Sequence, residues 1–176
     1  MKKILLVYAS KTGTTQDAAL EVAKRLSVPT DFYNCKDERF ESGDMTKVNM
    51  KPYELNWDSY ELIIIGTAMY IGSPLKEIKA FCKKYQDKLI HKGLSFFTCG
   101  VGTETEDKAY LWKCLPKEVS QKILLYRHLG GEIREDRLST FSRFAMREYV
   151  KQHEPALGIN QSKINEFCTE LAKLIK

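Results

Sequence analysis

Apolar and polar positions along this chain alternate between two periods, one of strands and one of helices. Ile4-Leu-Leu-Val-Tyr8 is an unbroken apolar run, and the stretch after it carries Ala18, Ala19, Val22, Ala23 and Leu26 on one helical face. Pro29 to Tyr33 reads as a short second strand, and the polar residues 34–58 read as a connection. Tyr60 to Ile65, Leu94 to Cys99 and Ile123 to Leu129 are further strand candidates. Pro74, placed at a first helical turn, predicts a helix through Leu75, Ile78, Phe81 and Cys82. Asp107 to Leu115 reads as a short helix stopped near Pro116. Ile164, Phe167, Cys168, Leu171, Leu174 and Ile175 repeat at helical spacing near the C-terminus. Strands that are apolar throughout are buried on both faces, as in a parallel sheet. The order predicts an α/β chain: a doubly wound, five-stranded parallel sheet with helices on both faces. It is expected to be a single domain over 1–176, with an inserted helical segment at about 131–158.

A sheet of this kind binds ligands beyond the carboxyl ends of its strands, where the strand order reverses. The loops expected to meet there are 10–15, 66–73 and 99–106. The first reads Ser10-Lys-Thr-Gly-Thr-Thr15 and lies between a strand and a helix. A helix N-terminus offers free backbone N–H groups and a positive dipole end, so it suits an anion. The hydroxyls of Ser10, Thr12, Thr14 and Thr15 add donors, and Gly13 lets a ligand approach the backbone. The same residue types also make good helix caps, so a capped helix after a strand is the competing reading. The P-loop pattern and the dinucleotide fingerprint are both absent. A loop of neutral donors suits a single terminal phosphate.

Here the chain resembles the flavodoxin family, whose phosphate loop reads [ST]-x-T-G-x-T, a pattern filled by Ser10, Thr12, Gly13 and Thr15. The second loop, Gly66-Thr-Ala-Met-Tyr-Ile-Gly72, is similar to the family pattern G-[ST]-x-x-[YW]-x-G, in which the aromatic covers a flavin ring. The resemblance implies FMN as cofactor. Its phosphate would be held by Ser10, Lys11, Thr12, Gly13, Thr14 and Thr15. Its ring would lie against Thr67, Ala68, Met69, Tyr70, Ile71 and Gly72, with Tyr70 over one face. Cys99, Gly100, Val101, Gly102, Thr103 and Glu104 would line the ring edge.

Between the fifth strand and the last helix lie Gly130-Gly131 and then Leu138 to Val150. Leu138, Phe141, Ala145 and Tyr149 share one helical face, with Phe144 at its margin, and the pattern predicts a helix packed on the domain. This stretch resembles the insertion in the flavodoxin-domain family that includes menaquinone-dependent protoporphyrinogen oxidase. That resemblance implies an FMN-dependent oxidoreductase; a non-enzymatic electron carrier is the alternative. The implied partners are a redox protein, a quinone or a small-molecule substrate.

Charge modifies this picture. The 176 residues carry a net charge of +5, where typical flavodoxins are acidic. An acidic partner, an anionic substrate or peripheral contact with an anionic surface suits this balance. Nucleic acid is a poor partner, because the basic residues are spread out and no nucleic-acid motif is present. No apolar run is long enough for a membrane span. Five scattered cysteines without a C-x-x-C pair fit reduced thiols and a cytoplasmic location. No metal-ligand spacing and no acid–base or nucleophile set stands out; His128 falls inside a strand pattern and reads as a packing residue. Any redox chemistry would then be the flavin's.

Overall fold

Ile4 to Ala9 are buried without a break, as a strand covered on both faces must be. In the computed structural model this segment is β1 (Lys3–Ala9), at the middle of the main sheet. The structure describes residues 3–41, 47–48, 55–70, 72–134, 136, 139–153 and 157–175. In chain order β1 is followed by α1 (Thr14–Leu26), β2 (Thr30–Asn34), β3 (Arg39–Glu41), β4 (Lys47–Val48), β5 (Tyr60–Tyr70) and β6 (Ser73–Pro74). Then come α2 (Lys76–Lys84), α3 (Gln86–Leu89), β7 (Gly93–Cys99), α4 (Glu104–Cys114), α5 (Lys117–Ser120) and β8 (Ile123–His128). The chain closes with β9 (Gly130–Gly131), α6 (Thr140–His153), β10 (Gly158–Ile159) and α7 (Gln161–Leu174).

Strands β2, β1, β5, β7 and β8 lie side by side in that order, all parallel. This is the expected doubly wound core. Antiparallel β3 and β4 extend it beyond β2, within the stretch expected to be a plain connection. The strand order turns back between β1 and β5, so the crevice opens at their carboxyl ends.

Alternate residues of each strand feed two cores. Leu5, Val7, Ile63, Ile65 and Phe96 face one layer, with Ile78 of α2, Leu111 of α4 and Val119 of α5. Ile4, Leu6, Ile64 and Phe97 face the other, with Ala18 and Val22 of α1 and Phe167 of α7. The small Ala18 and Ala19 let α1 lie close on the sheet. Phe97 and Phe167 meet edge to face, with ring centroids 6.1 Å apart. Removing a buried ring of this kind costs about 3–5 kcal/mol.

Three boundaries differ from the sequence expectation, each for a local reason. Strand β5 runs on to Tyr70, because Met69 and Tyr70 pair with Pro74 and Ser73 of β6. Pro74 therefore sits in that short ladder, and α2 begins at Lys76. Helix α4 starts at Glu104, ahead of Asp107, because Thr103 and Glu106 form a capping box there. Helix α6 forms within the expected segment, but two of its aromatic residues are exposed, Phe141 at 79% and Phe144 at 67%. Leu138 and the Tyr149 side chain lie outside the described residues. Among the described residues, no helix is long and apolar enough to cross a membrane.

Candidate functional site

At the carboxyl ends of β1, β5 and β7, the structure forms a crevice with about 540 Å³ of empty space, part of it open to solvent. Lys11, Thr12, Thr14 and Thr15 line one end, Ala68, Met69 and Tyr70 one wall, and Cys99, Gly100 and Val101 another. Thus all three expected loops contribute. Gly131, Glu132, Ile133 and Arg134 complete the lining.

The loop after β1 is built to accept something. Gly13 takes the left-handed conformation at φ 103° and precedes α1 without supplying a side-chain cap. Its N–H donates to the Ser10 hydroxyl at 2.9 Å, so Ser10 shapes the loop and stays off the lining. With no side-chain cap on α1, the N–H groups of its first turn need a partner from outside the helix. Thr14 and Thr15 are 5% and 0% exposed, and their hydroxyls have no hydrogen-bond partner among the described residues. The Cys99 thiol beside Thr15 offers only a weak contact. Buried hydroxyls are normally satisfied, so a bare pair at a helix N-terminus marks a place for an acceptor-rich ligand. An oxyanion with several lone pairs, such as a phosphate monoester, fits that donor set.

Tyr70 supplies an aromatic wall, and Lys11 reaches across so that its ammonium lies 3.3 Å from the Tyr70 ring centroid. Cations are drawn to the negative face of such a ring. Cys99 is buried, and desolvation pushes its thiol up to about 12, partly offset by the Thr15 hydroxyl. A thiol that stays neutral behaves as a small apolar wall and not as a nucleophile.

Several expected residues stand elsewhere. Thr67 is fully buried, and its hydroxyl accepts from the Leu75 N–H at 3.2 Å, tying β5 to the start of α2. Gly66 gives room to a neighbour and not to a ligand: a Cβ there would lie 2.2 Å from the Phe97 ring. Gly72 turns at φ +66° against Tyr110, and Ile71 lies outside the described residues. Gly102 leaves space for the Asp107 carboxylate, which a Cβ at that position would meet at 2.7 Å. Thr103 caps α4, and Glu104 pairs with Lys163 at 3.2 Å and Arg127 at 3.9 Å. Thr103 and Glu104 thus face a neighbouring pocket and not the crevice.

Beside this loop lies a polar cluster that sequence reasoning only half anticipated. His128 is buried as expected, and its Nδ1–H donates to the Asp107 carboxylate at 2.9 Å. The Thr98 hydroxyl links the same imidazole, at 3.3 Å, to the Tyr126 phenol at 2.8 Å. This network anchors α4 and the 99–103 loop. Asp107 gave no sign of the role because its partner stands 21 residues away in sequence.

Gly131 to Arg134 begin the segment expected to be inserted, but sequence reasoning did not count them among the site residues. A Cβ on Gly131 would lie 2.2 Å from the Gly100 carbonyl oxygen, so glycine alone lets β9 lie against that loop. The Gly100 N–H donates to the Gly130 carbonyl at 3.1 Å, and β9 pairs with β10. The Gly130-Gly131 pair was the available signal. Arg134 then donates from Nη1 to the Thr12 carbonyl at 3.3 Å. Its Nη2 pairs with Asp17 at 2.6 Å and its Nε with Glu132 at 2.7 Å. Among the described residues, no cluster of His, Cys, Asp and Glu is placed to hold a metal ion.

Comparison with known proteins agrees with this architecture. A family profile described as a flavodoxin domain matches residues 5–156. No curated protein sequence matches the chain. Among solved structures, an oxidoreductase from Corynebacterium diphtheriae superposes with a TM-score of 0.63 at 11% identity, covering 99% of this chain and 97% of that one. A Fusobacterium nucleatum flavodoxin bound to flavin mononucleotide gives 0.50 at 16% identity, with both chains covered in full. A Lactobacillus acidophilus flavoprotein in complex with FMN gives 0.52 at 14% identity, covering 73% of this chain and 93% of that one. At these identities the likeness concerns the fold.

Proposed function

This chain belongs to the flavodoxin-domain family, and we propose that it binds FMN in the crevice and works as a redox protein. One observation carries the reading: the two buried hydroxyls of Thr14 and Thr15, without a partner beyond the weak Cys99 thiol contact, at the uncapped start of α1 in a crevice walled by Tyr70. Thr12, Thr14 and Thr15 would hold the phosphate, Tyr70 would cover a ring face, and Cys99 to Val101 would line the ring edge. Ser10 and Gly13 shape the loop that does this. Bound FMN supplies reversible uptake of one or two electrons. The chain's own work is to bind, orient and shield: apolar Ala68, Met69, Val101 and Ile133 keep water from the ring site.

Within this role we favour an oxidoreductase similar to the protoporphyrinogen oxidase branch of the family. Support comes from the stretch after β8: its first residues, Gly131 to Arg134, form one side of the crevice. Residues 131–158 are then a functional insertion in a single domain, and a small molecule such as a quinone or a reduced tetrapyrrole is the partner. The net positive charge suits anionic partners or peripheral contact with an anionic surface, and reduced thiols suit the cytoplasm. The alternative of a non-enzymatic carrier finds support in the exposed Phe141 and Phe144, which offer a protein-docking face.

Anaerobic electron transfer tests the reading. The FMN-loaded protein is offered protoporphyrinogen-type donors, and the reduced form is offered quinones and protein acceptors. Multiple turnovers with the small molecules are expected. Exchange with protein acceptors alone overturns the oxidoreductase reading in favour of a carrier, and failure to take up FMN overturns both.

A further inference from the structure

We infer that Arg134 is the positioning residue of the phosphate end, a cation that makes the crevice selective for a flavin bearing a phosphate. The inference rests on the FMN reading above and adds to it a residue that lies outside the phosphate-loop pattern. That pattern supplies only neutral donors, and the ammonium of its one lysine, Lys11, lies over the Tyr70 ring.

Asp17 stands in the first turn of α1, beside the buried hydroxyls of Thr14 and Thr15. Its carboxylate adds a negative charge to the same first turn whose N–H groups would meet a phosphate. Glu132, on the crevice wall, is a second. Arg134 answers both at once, through Nη2 to Asp17 at 2.6 Å and Nε to Glu132 at 2.7 Å. The two carboxylates in turn raise the proton affinity of the guanidinium. Its Nη1 also donates to the Thr12 carbonyl at 3.3 Å, tying the guanidinium to the phosphate loop. A guanidinium has five N–H donors. These contacts engage three of them, on two carboxylates and the phosphate loop.

The residue acts through Asp17 and the loop, so its signature is a coupling. Apoprotein of the wild type, Arg134→Gln, Arg134→Lys, Asp17→Asn and the double variant Arg134→Gln/Asp17→Asn is titrated with FMN and with riboflavin, following flavin fluorescence. Arg134→Gln is expected to weaken FMN about ten-fold or more, because the Asp17 carboxylate is then left uncompensated near the phosphate. Riboflavin should change by less than about two-fold, since it carries no phosphate to repel. Asp17→Asn in the Arg134→Gln background should restore most of the lost FMN affinity, and Arg134→Lys should fall between. Apo melting temperatures show whether each variant is folded.

Unchanged FMN affinity in Arg134→Gln overturns the inference. So does an equal loss for FMN and riboflavin, which would make Arg134 a packing residue. A double variant no better than Arg134→Gln also overturns it, because no charge coupling then exists. In all three cases the wild type still prefers FMN, and the FMN reading survives. A wild type that binds neither flavin, or both equally, sinks that reading and the inference together.

Discussion

Replacing Thr15 with Val should make the apoprotein more stable and its hold on FMN weaker. Thr15 is fully buried, and its hydroxyl has no partner beyond the weak Cys99 thiol contact. A buried polar group left unsatisfied costs about 1–3 kcal/mol. Val keeps the branched shape and removes that cost, so the empty protein should gain on the order of 1 kcal/mol. For a chain of this size that is roughly 2–4 °C in melting temperature. With FMN bound, the same hydroxyl would donate to a charged phosphate oxygen, an interaction worth about 1.5–3 kcal/mol. Its loss should weaken FMN by about ten- to 150-fold. Two measurements on one variant decide: urea or thermal unfolding of the apoprotein, and FMN titration by fluorescence quenching. Opposite signs support the account. A Thr15→Val apoprotein that is less stable, with FMN affinity unchanged, would refute it, since the hydroxyl would then serve the fold.

Other perturbations bear on the remaining walls. Gly131→Ala places a methyl 2.2 Å from the Gly100 carbonyl, backbone against backbone; it should cost about 1–3 kcal/mol of stability and weaken FMN further by shifting both walls, and wild-type affinity would contradict the close approach. Tyr70→Ala should weaken FMN by about 1–3 kcal/mol and relieve fluorescence quenching, in line with what aromatic stacking contributes elsewhere; unchanged binding in that titration would place the ring away from Tyr70. Burial raises Cys82 and Cys99 from the ordinary 9.0 to about 12, and Cys168 to about 11. Between pH 9 and these values the unfolded chain loses thiol protons that the native state keeps, so stability should fall as pH rises through that window and be fully present below it. Urea midpoints at about pH 8 and about pH 10.5, either side of the unfolded thiol value, test this, and a higher midpoint in the alkaline sample would contradict it.

Much of the fold was legible because both faces of a parallel strand are buried. Ile4 to Tyr8 and Ile63 to Ile65 announced themselves as continuous apolar runs. The phosphate loop was legible because its chemistry is local: Ser10 to Thr15 carry their hydroxyls and glycine within six residues. Less legible were features made by residues far apart in sequence. Arg134 meets the Thr12 carbonyl 122 residues away, and no local pattern encodes that meeting. Gly66 opens the loop that matches the flavin pattern, yet it serves the Phe97 ring, a neighbour visible only once β5 and β7 are paired. Glu104 looked like the end of a ring-edge loop but belongs to α4, because a capping box sets that helix start earlier. The helical spacing of Phe141 and Phe144 matched a packed amphipathic helix; periodicity gives the face and not what covers it.

The central claim is that FMN lies in this crevice with its phosphate on α1, and a crystal structure of the FMN complex tests it most directly. The account predicts phosphate oxygens within about 3 Å of the Thr14 and Thr15 hydroxyls, with the ring against Tyr70. A phosphate bound away from that helix start, with both hydroxyls still unpartnered, would contradict it.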